Sequence, residues 1–203
     1  MKKFSSDIDI DFGNRDAALA LLKHHPAGII RDGKLKKHSS GIYVTDIPVD
    51  PMSGTSSIDY KDADDRGYIK LDFLNVSVYE QVKDGAHLLE LMHKDPPWDR
   101  LYDRDFCSKI IHINDHYDTL IAMPEAVNSI PRLAMFLALI RPAKRHLVGL
   151  PWKDVAKTVW DKPAAGEGYG FKKAHGVAYS HLVVVHMNLL IEQEQKKLLD
   201  LIV

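Results

Sequence analysis

The residues of this sequence whose types and spacing suit chemistry are three aspartates on two short alternating segments. Asp9 and Asp11 alternate with apolar residues in the segment DIDIDF at positions 7–12. In a strand, this alternation places both carboxylates on one face, about 7 Å apart along the backbone. Asp72 lies in a second alternating segment, which predicts a strand with Lys70 on the same face. Carboxylates crowded in this way repel one another unless a cation lies between them.

The chemistry that such acids support is metal-dependent phosphoryl transfer. Hard divalent ions such as Mg²⁺ bind carboxylate oxygens and keep positions for water and phosphate. Three acids on adjacent strands can hold two ions for an in-line displacement at phosphorus. The alternative is that Asp7, Asp9 and Asp11 form a polar strand surface and that Asp72 is an unrelated surface acid. Alternation alone leaves both interpretations open.

The elements that must position these acids divide the sequence into two halves. In the first half, we predict strands at residues 6–12, 29–30, 41–45 and 68–74, a helix at 15–24 and a basic loop between the second and third of these strands. In the second half, helical periodicity predicts helices at residues 76–93, 126–139, 152–160 and 174–202. The expected fold is α/β (α+β), with a mixed sheet in residues 1–75 and a helical region in residues 76–203.

Composition limits the class of protein. The chain has 203 residues, a net charge of −1 and a single cysteine, Cys107, so it has no disulfide framework and a reducing compartment is expected. The apolar stretch at residues 181–191 is short and contains polar residues, which predicts a cytoplasmic protein that does not enter a membrane. A DNA-binding protein is usually more basic, although a balanced total can hide a basic stripe.

Five segments, in the same order along the chain, resemble motifs of the bacterial replicative DNA polymerase III α subunit, the C family. Its catalytic strand is similar to DIDIDF at 7–12, and its K-H-A-A-G-V segment is similar to KHSSGI at 37–42. Its V-K-F-D-F-L strand is similar to IKLDFL at 69–74, and its A-L-F-R-P segment to ALIRP at 138–142. Its G-Y-G-F-N-K-S-H-A-A-A-Y motif is similar to GYGFKKAHGVAY at 168–179.

This resemblance implies a polymerase β-like nucleotidyltransferase palm followed by helical fingers. It implies a DNA polymerase that uses a primer–template and deoxynucleoside triphosphates, with Asp9, Asp11 and Asp72 as the catalytic ligands of two Mg²⁺ ions, for which Mn²⁺ can substitute. The expected nucleotide-binding residues are Arg141 and Lys173, followed by Lys37, Lys70, His38 and His175. Each histidine has the alternative role of holding a loop through hydrogen bonds.

The chain also departs from the family pattern. Family members are several-fold longer, and they insert a thumb where this chain has only residues 13–37. So short a chain suggests a version encoded by a phage or mobile element. One alternative is a non-catalytic module that binds DNA, nucleotide or a replication protein. Another is a nucleotidyltransferase that needs no template.

The last residues of the chain suggest a further partner. Residues 195–202 loosely resemble the short Leu/Asp/Leu peptides that enter bacterial sliding clamps, so the host clamp is a candidate partner. The alternative is the end of an amphipathic helix that packs on the core.

Overall fold

A computed structural model of the chain describes residues 8–162 and 171–202. Asp7 and residues 168–170 of the family-like segment lie outside these described residues. Contacts divide the chain into two compact units, residues 1–81 and residues 82–203. The structure confirms a mixed α/β fold with a four-stranded mixed sheet and helices.

The first unit is built on the four-stranded sheet, whose strand order is β1-β4-β3-β2. Its elements are β1 (Ile8–Phe12), α1 (Arg15–Ala20), β2 (His25–Arg31), β3 (Lys34–Tyr43), α2 (Tyr60–Asp65) and β4 (Leu71–Asn75), followed by a 3-10 helix (Ser77–Gln81). Strand β4 is parallel to β1 and antiparallel to β3. The apolar face of these strands holds Leu19 of α1 against Ile42 and Phe73. Burial of this face fixes the register, because a shift by one residue would expose it.

A two-residue turn joins β2 and β3. Asp32 and Gly33 have φ angles of 56° and 69°, the positive values that a type I′ hairpin turn needs. The basic loop predicted between the strands at 29–30 and 41–45 is therefore wrong apart from this turn, because residues 34–40 belong to β3. The Asp-Gly pair brings β3 back along β2 over the whole length of that basic segment.

The second unit is helical. Its α-helices are α3 (Gly85–His93), α4 (Arg104–Cys107), α5 (Tyr117–Ile121), α6 (Ile130–Leu139), α7 (Trp152–Thr158) and α8 (Lys173–Ile202), with 3-10 helices at Trp98–Tyr102 and Pro142–Leu147. Helix α6 is largely buried and packs against α8. Gly176 permits this approach, since a Cβ there would lie 2.8 Å from Trp160 Cη2 and 3.3 Å from the Ala134 carbonyl oxygen.

The helix predicted at residues 76–93 is divided in two. After the 3-10 helix Ser77–Gln81, helix α3 begins at Gly85 with Asp84 as its N-cap. The Asp84 carboxylate accepts a hydrogen bond of 2.8 Å from the backbone N–H of His87. An aspartate at this position satisfies an N–H group that the first turn of a helix leaves without an intrahelical partner.

Helix α8 is long and apolar enough to cross a membrane by length and composition alone. However, 56 % of its most apolar window is buried inside the protein. The central helix of a soluble protein has the same two properties, so α8 is weak evidence for a membrane span.

Candidate active site in the first unit and basic cluster in the second

The three predicted aspartates lie on neighbouring strands. Strands β1 and β4 run parallel, and Asp9 is the register partner of Asp72. Asp11 follows two residues later on β1, so its side chain shares the face of Asp9. Ile10 and Phe73, on the other face, pack towards the buried core. The parallel ladder thus brings two distant segments of the sequence together as one acidic edge.

Asp72 is held by two neighbours. Ser40 of β3 donates a hydrogen bond of 2.7 Å from Oγ to Asp72 Oδ1. The ammonium of Lys70 forms an ion pair with Asp72 Oδ2. Only 11 % of the Asp72 side chain and 18 % of the Lys70 side chain are exposed. This partial burial makes the pair more strongly coupled than a surface ion pair.

His38 organises the backbone beside this ion pair. Its Nδ1 accepts hydrogen bonds from the backbone N–H groups of Gly41, at 2.9 Å, and Ser40, at 3.3 Å. Nδ1 therefore carries no proton, and its 3.8 Å separation from Asp72 Oδ1 is a contact between two acceptors. Burial lowers the pKa of His38, and the positive charge of Lys70 lowers it further. The neutral form with the proton on Nε2 is the state that fits these contacts.

Gly41 is required for this arrangement. A Cβ at Gly41 would lie 2.8 Å from Lys70 Cδ, 3.0 Å from His38 Nδ1 and 3.1 Å from Ala27 Cβ. Contacts this short force the neighbouring side chains to move. The glycine of the KHSSGI segment therefore allows Lys70 and His38 to approach Asp72 together.

The carboxylates of β1 show the electrostatic cost of crowding. Burial raises the pKa of Asp11, and the neighbouring charge of Asp9 raises it further. Tyr79 lies in the same environment, where burial and then the charge of Asp11 raise its pKa. A divalent cation would relieve this repulsion, and carboxylate oxygens are the ligands that Mg²⁺ prefers. The donor set fits the predicted metal in chemistry.

The side-chain positions do not themselves form a metal centre. Within residues 8–162 and 171–202, no three His, Cys, Asp or Glu side chains are grouped as a metal ion would need. Lys70 lies beside the Asp72 oxygen that a cation would bind. An ion at Asp72 would therefore have to compete with the Lys70 ammonium.

A second cluster, in the second unit, joins basic and aromatic side chains. The guanidinium of Arg141 lies over the ring of Phe171, 4.8 Å from its centroid. Its buried Nε has no hydrogen-bond partner in the described part of the chain. The rings of Phe171 and Tyr179 are stacked with centroids 5.9 Å apart, and that of His175 lies 6.4 Å from Phe171. Arg141 and His175, two of the predicted nucleotide-binding residues, are thus grouped around one aromatic ring.

Two further histidines lie in the electric field of this cluster. Burial lowers the pKa of His112, and the charge of Arg141 lowers it further. Burial and then Arg145 lower the pKa of His116. The His112 ring is 4.6 Å from that of Tyr179, and its φ of 67° is unusual for a residue other than glycine. A positive field that discourages histidine protonation also attracts an anion.

Comparison with protein-family models, curated proteins and solved structures finds no match to this chain. In the first unit, His38 and Lys70 lie beside Asp72. In the second unit, Lys173 is the exposed first residue of α8. Lys37 is an exposed residue of β3.

Two residues of these clusters were not predicted. Ser40 replaces an alanine of the family segment K-H-A-A-G-V. This hydroxyl was the one signal in the sequence that could have indicated its hydrogen bond to Asp72. His112 lies within an apolar stretch, and nothing in its sequence context indicates its contact with Tyr179. Its role depends on the packing of α8 against the segment that precedes α5.

Proposed function

We propose that this protein is a small DNA-directed DNA polymerase that transfers a nucleotide from a deoxynucleoside triphosphate to a primer 3′-hydroxyl. The observation that carries the proposal is the parallel pairing of Asp9 with Asp72, with Asp11 on the same face of β1. Neighbouring strands that present three acids are the arrangement that two-metal phosphoryl transfer uses. The five family-like segments, whose resemblance implies a polymerase-like palm and fingers, support the same activity.

The residues of the chain have separate roles in this proposal. Asp9, Asp11 and Asp72 would hold two Mg²⁺ ions, or Mn²⁺ in their place. Such ions lower the pKa of the attacking hydroxyl and neutralise the charge that grows on the leaving pyrophosphate. Ser40 and Lys70 fix the position of the Asp72 carboxylate through the contacts described above.

The proposed phosphate-binding groups of the second unit are Arg141, Lys173 and His175. Arg141 has donors that can pair two phosphate oxygens at once, and stacking on Phe171 fixes the plane of its guanidinium. His175 lies beside the same ring. In the first unit, Lys37 and His38 are the weaker proposals for the same task. The proposed role of Lys70 is to hold Asp72 and not to bind the nucleotide, because its ammonium already pairs with that carboxylate.

The second candidate function is a binding module that holds DNA, nucleotide or a replication protein without synthesis. The Lys70–Asp72 ion pair favours it, because this pair neutralises one of the three acids without a metal. The closeness of Asp9 and Asp11, which are both exposed on β1, favours the polymerase, because the charge of Asp9 helps to raise the pKa of Asp11 and a divalent cation would stabilise both carboxylates.

A host sliding clamp stays a proposed partner, and the bacterial cytoplasm is the corresponding location. The exposure of Leu198, Leu199 and Leu201, at 61 %, 63 % and 86 %, favours a docking peptide over a helix end that packs on the core. Residues 195–201 are exposed, whereas the half-buried Glu194 accepts two hydrogen bonds of 3.0 Å from Arg100. The exposed leucines are available to a partner.

Primer extension tests the proposed function. The purified chain is mixed with labelled deoxynucleotides, Mg²⁺ or Mn²⁺ and a primer, with and without template. We expect incorporation by the native chain and its loss in Asp9→Asn, Asp11→Asn and Asp72→Asn. Asp16→Asn is the matched control, because that side chain is 95 % exposed and should leave activity unchanged.

Each other outcome identifies a different protein. Incorporation that persists in a folded Asp72→Asn variant would remove Asp72 from the catalytic set. Incorporation without template would indicate an untemplated nucleotidyltransferase. Retained DNA binding with no incorporation under either metal would favour the binding module.

A further inference from the structure

The β2–β3 hairpin carries a concentration of positive charge that the overall composition hides. Residues 31–37 contain four cations and one acid, a net charge of +3, whereas the whole chain has a net charge of −1. All seven residues are exposed. This concentration makes the hairpin the most basic surface feature of the first unit's sheet.

Strand register places three of these cations on one face. Arg31 is the direct partner of Lys34, and Ile29 is the partner of Lys36. Side chains alternate along a strand, so Arg31, Lys34 and Lys36 share a face that excludes Leu35 and Lys37. The three charges form a short row along the hairpin.

This row is unfavourable in the isolated protein. Directly opposed residues of an antiparallel pair have Cβ atoms about 5 Å apart, and like charges there are destabilising. Asp32 forms an ion pair of 3.1 Å with Lys36, which compensates one of the three charges. A bound polyanion would relieve the repulsion between Arg31 and Lys34. The arrangement is therefore complementary to a row of phosphates.

The basic face continues towards the candidate active site. The same strand, β3, carries His38 and Ser40, which contact Asp72 and its neighbours. The hairpin lysines and the residues beside Asp72 thus belong to one continuous strand.

We infer that the β2–β3 hairpin binds the phosphate backbone of a DNA duplex through Arg31, Lys34 and Lys36. This inference rests on the proposed function and names the element that holds the primer–template. Charge complementarity requires a polyanion, and continuity of β3 with the Asp72 cluster favours nucleic acid among polyanions. The contact is independent of base sequence, because it uses phosphates alone.

The test is DNA affinity as a function of salt, measured by fluorescence anisotropy of a labelled duplex with the full chain. The test variant combines Arg31→Gln, Lys34→Gln and Lys36→Gln. Each phosphate contact contributes about −0.9 to the slope of the logarithm of the binding constant against the logarithm of the salt concentration. With three contacts removed, the variant's loss of affinity between about 50 and about 200 mM KCl should be about 40-fold smaller than that of the native chain. The variant should unfold at the native temperature or above it, because it loses the repulsion between Arg31 and Lys34.

A matched control removes the same number of charges elsewhere. The variant Lys23→Gln, Arg66→Gln, Lys83→Gln changes three exposed cations outside the hairpin and should keep the native salt slope. A second hairpin variant, Lys34→Arg with Lys36→Arg, keeps the charge and should also bind as the native chain does. These two variants separate the hairpin charges from net charge and from side-chain shape.

The contrary outcomes are distinct. If the native chain binds DNA and extends primers but the hairpin variant has the native salt slope, the hairpin inference is wrong and the proposed function stands. If the native chain binds no DNA, both are wrong. Binding of the hairpin to phosphatidylserine vesicles, with no effect of the variant on DNA, would overturn the inference in favour of a membrane surface.

Discussion

The Lys70–Asp72 ion pair can be tested by removing each charge separately. Lys70→Met leaves the Asp72 carboxylate without its cation, while Ser40 still donates to it. Asp72→Asn leaves the Lys70 ammonium without its anion. Breaking a fully buried pair costs about 3–5 kcal/mol, because one charge stays desolvated. Since the two side chains are 18 % and 11 % exposed, water screens part of this cost, and we expect about 2–3 kcal/mol for each variant.

The double variant decides whether the two residues act as a pair. Lys70→Met with Asp72→Asn leaves no uncompensated charge, and the asparagine oxygen can still accept from Ser40. Its loss of unfolding free energy should therefore be smaller than the sum of the two single losses by about 2 kcal/mol. If the double variant loses as much unfolding free energy as the two single variants together, the ion pair is not a stabilising contact.

The assay must follow the first unit alone. Hydrogen exchange of peptides from β3 and β4, measured by mass spectrometry, reports its opening. The protein's three tryptophans, Trp98, Trp152 and Trp160, lie in the second unit, so tryptophan emission should stay unchanged in every variant. A change in that emission would show that the substitutions act beyond the first unit.

Addition of Mg²⁺ extends this experiment to the candidate metal site. In Lys70→Met, the Asp72 carboxylate loses its ammonium competitor, so Mg²⁺ should stabilise this variant more than the native chain. At a metal concentration about 100 times the dissociation constant, the gain is about 2.7 kcal/mol. Asp72→Asn should gain less. Equal gains in the two variants would remove Asp72 from the metal-binding set.

Three further predictions follow from single residues. Because the pKa of His38 is lowered from 6.5, the unfolded chain binds its proton first, and the first unit should lose stability as pH falls below 6.5. His38→Asn, which keeps an acceptor for the backbone, should reduce this loss in hydrogen exchange. Tyr43→Phe should raise the free energy of unfolding by about 1 kcal/mol, because the buried hydroxyl has no partner among the described residues. The same variant should reduce the loss of stability between pH 10 and about 12, the range over which the folded chain keeps the Tyr43 proton. Gly176→Ala should destabilise the second unit by about 1–3 kcal/mol and alter Trp160 emission, since the new Cβ would lie 2.8 Å from that ring.

These three predictions have their own controls. Gly85→Ala is the comparison for Gly176→Ala, because no described atom outside its own helix and neighbours lies within 4 Å of its added Cβ. It should be neutral or stabilising through helix propensity. An unchanged pH profile in His38→Asn, or a loss of stability in Tyr43→Phe at pH 7, would contradict the assigned environments.

Alternation allowed β1 and β4 of the candidate site to be predicted, but one end of β4 was misplaced, and most of β3 was predicted as a loop. The strand was expected from residue 68, whereas β4 begins at Leu71. The backbone N–H of Tyr68 instead donates to the Ala63 carbonyl at the end of α2, at 3.0 Å. Helix α2 was not predicted, and its termination determines where the next strand can start. The β-forming side chains of the segment favour a strand without fixing its first residue.

The composition of the candidate site was partly accessible from the sequence. Alternation predicted that Asp9 and Asp11 share one face of a strand, and that Lys70 and Asp72 share one face of another, because the members of each pair are two positions apart. The ion pair of Lys70 with Asp72 follows from that spacing, yet the family resemblance directed Lys70 to the nucleotide. The contact of Ser40 depends on the β3–β4 pairing, in which Gly41 lies opposite Asp72. Long-range register of this kind is not encoded in either segment alone.

Under the proposed function, strand β3 would connect the phosphate-binding hairpin to the candidate active site. Its first half carries Lys34 and Lys36 on the hairpin, and its second half carries Ser40 and Gly41 beside Asp72. A strand is a rigid element, so phosphates held by the hairpin would have a fixed position relative to the acidic edge of β1 and β4. The two proposed roles of β3 can be tested separately, because the hairpin cations are exposed and their removal should leave the Ser40 and Lys70 contacts with Asp72 in place.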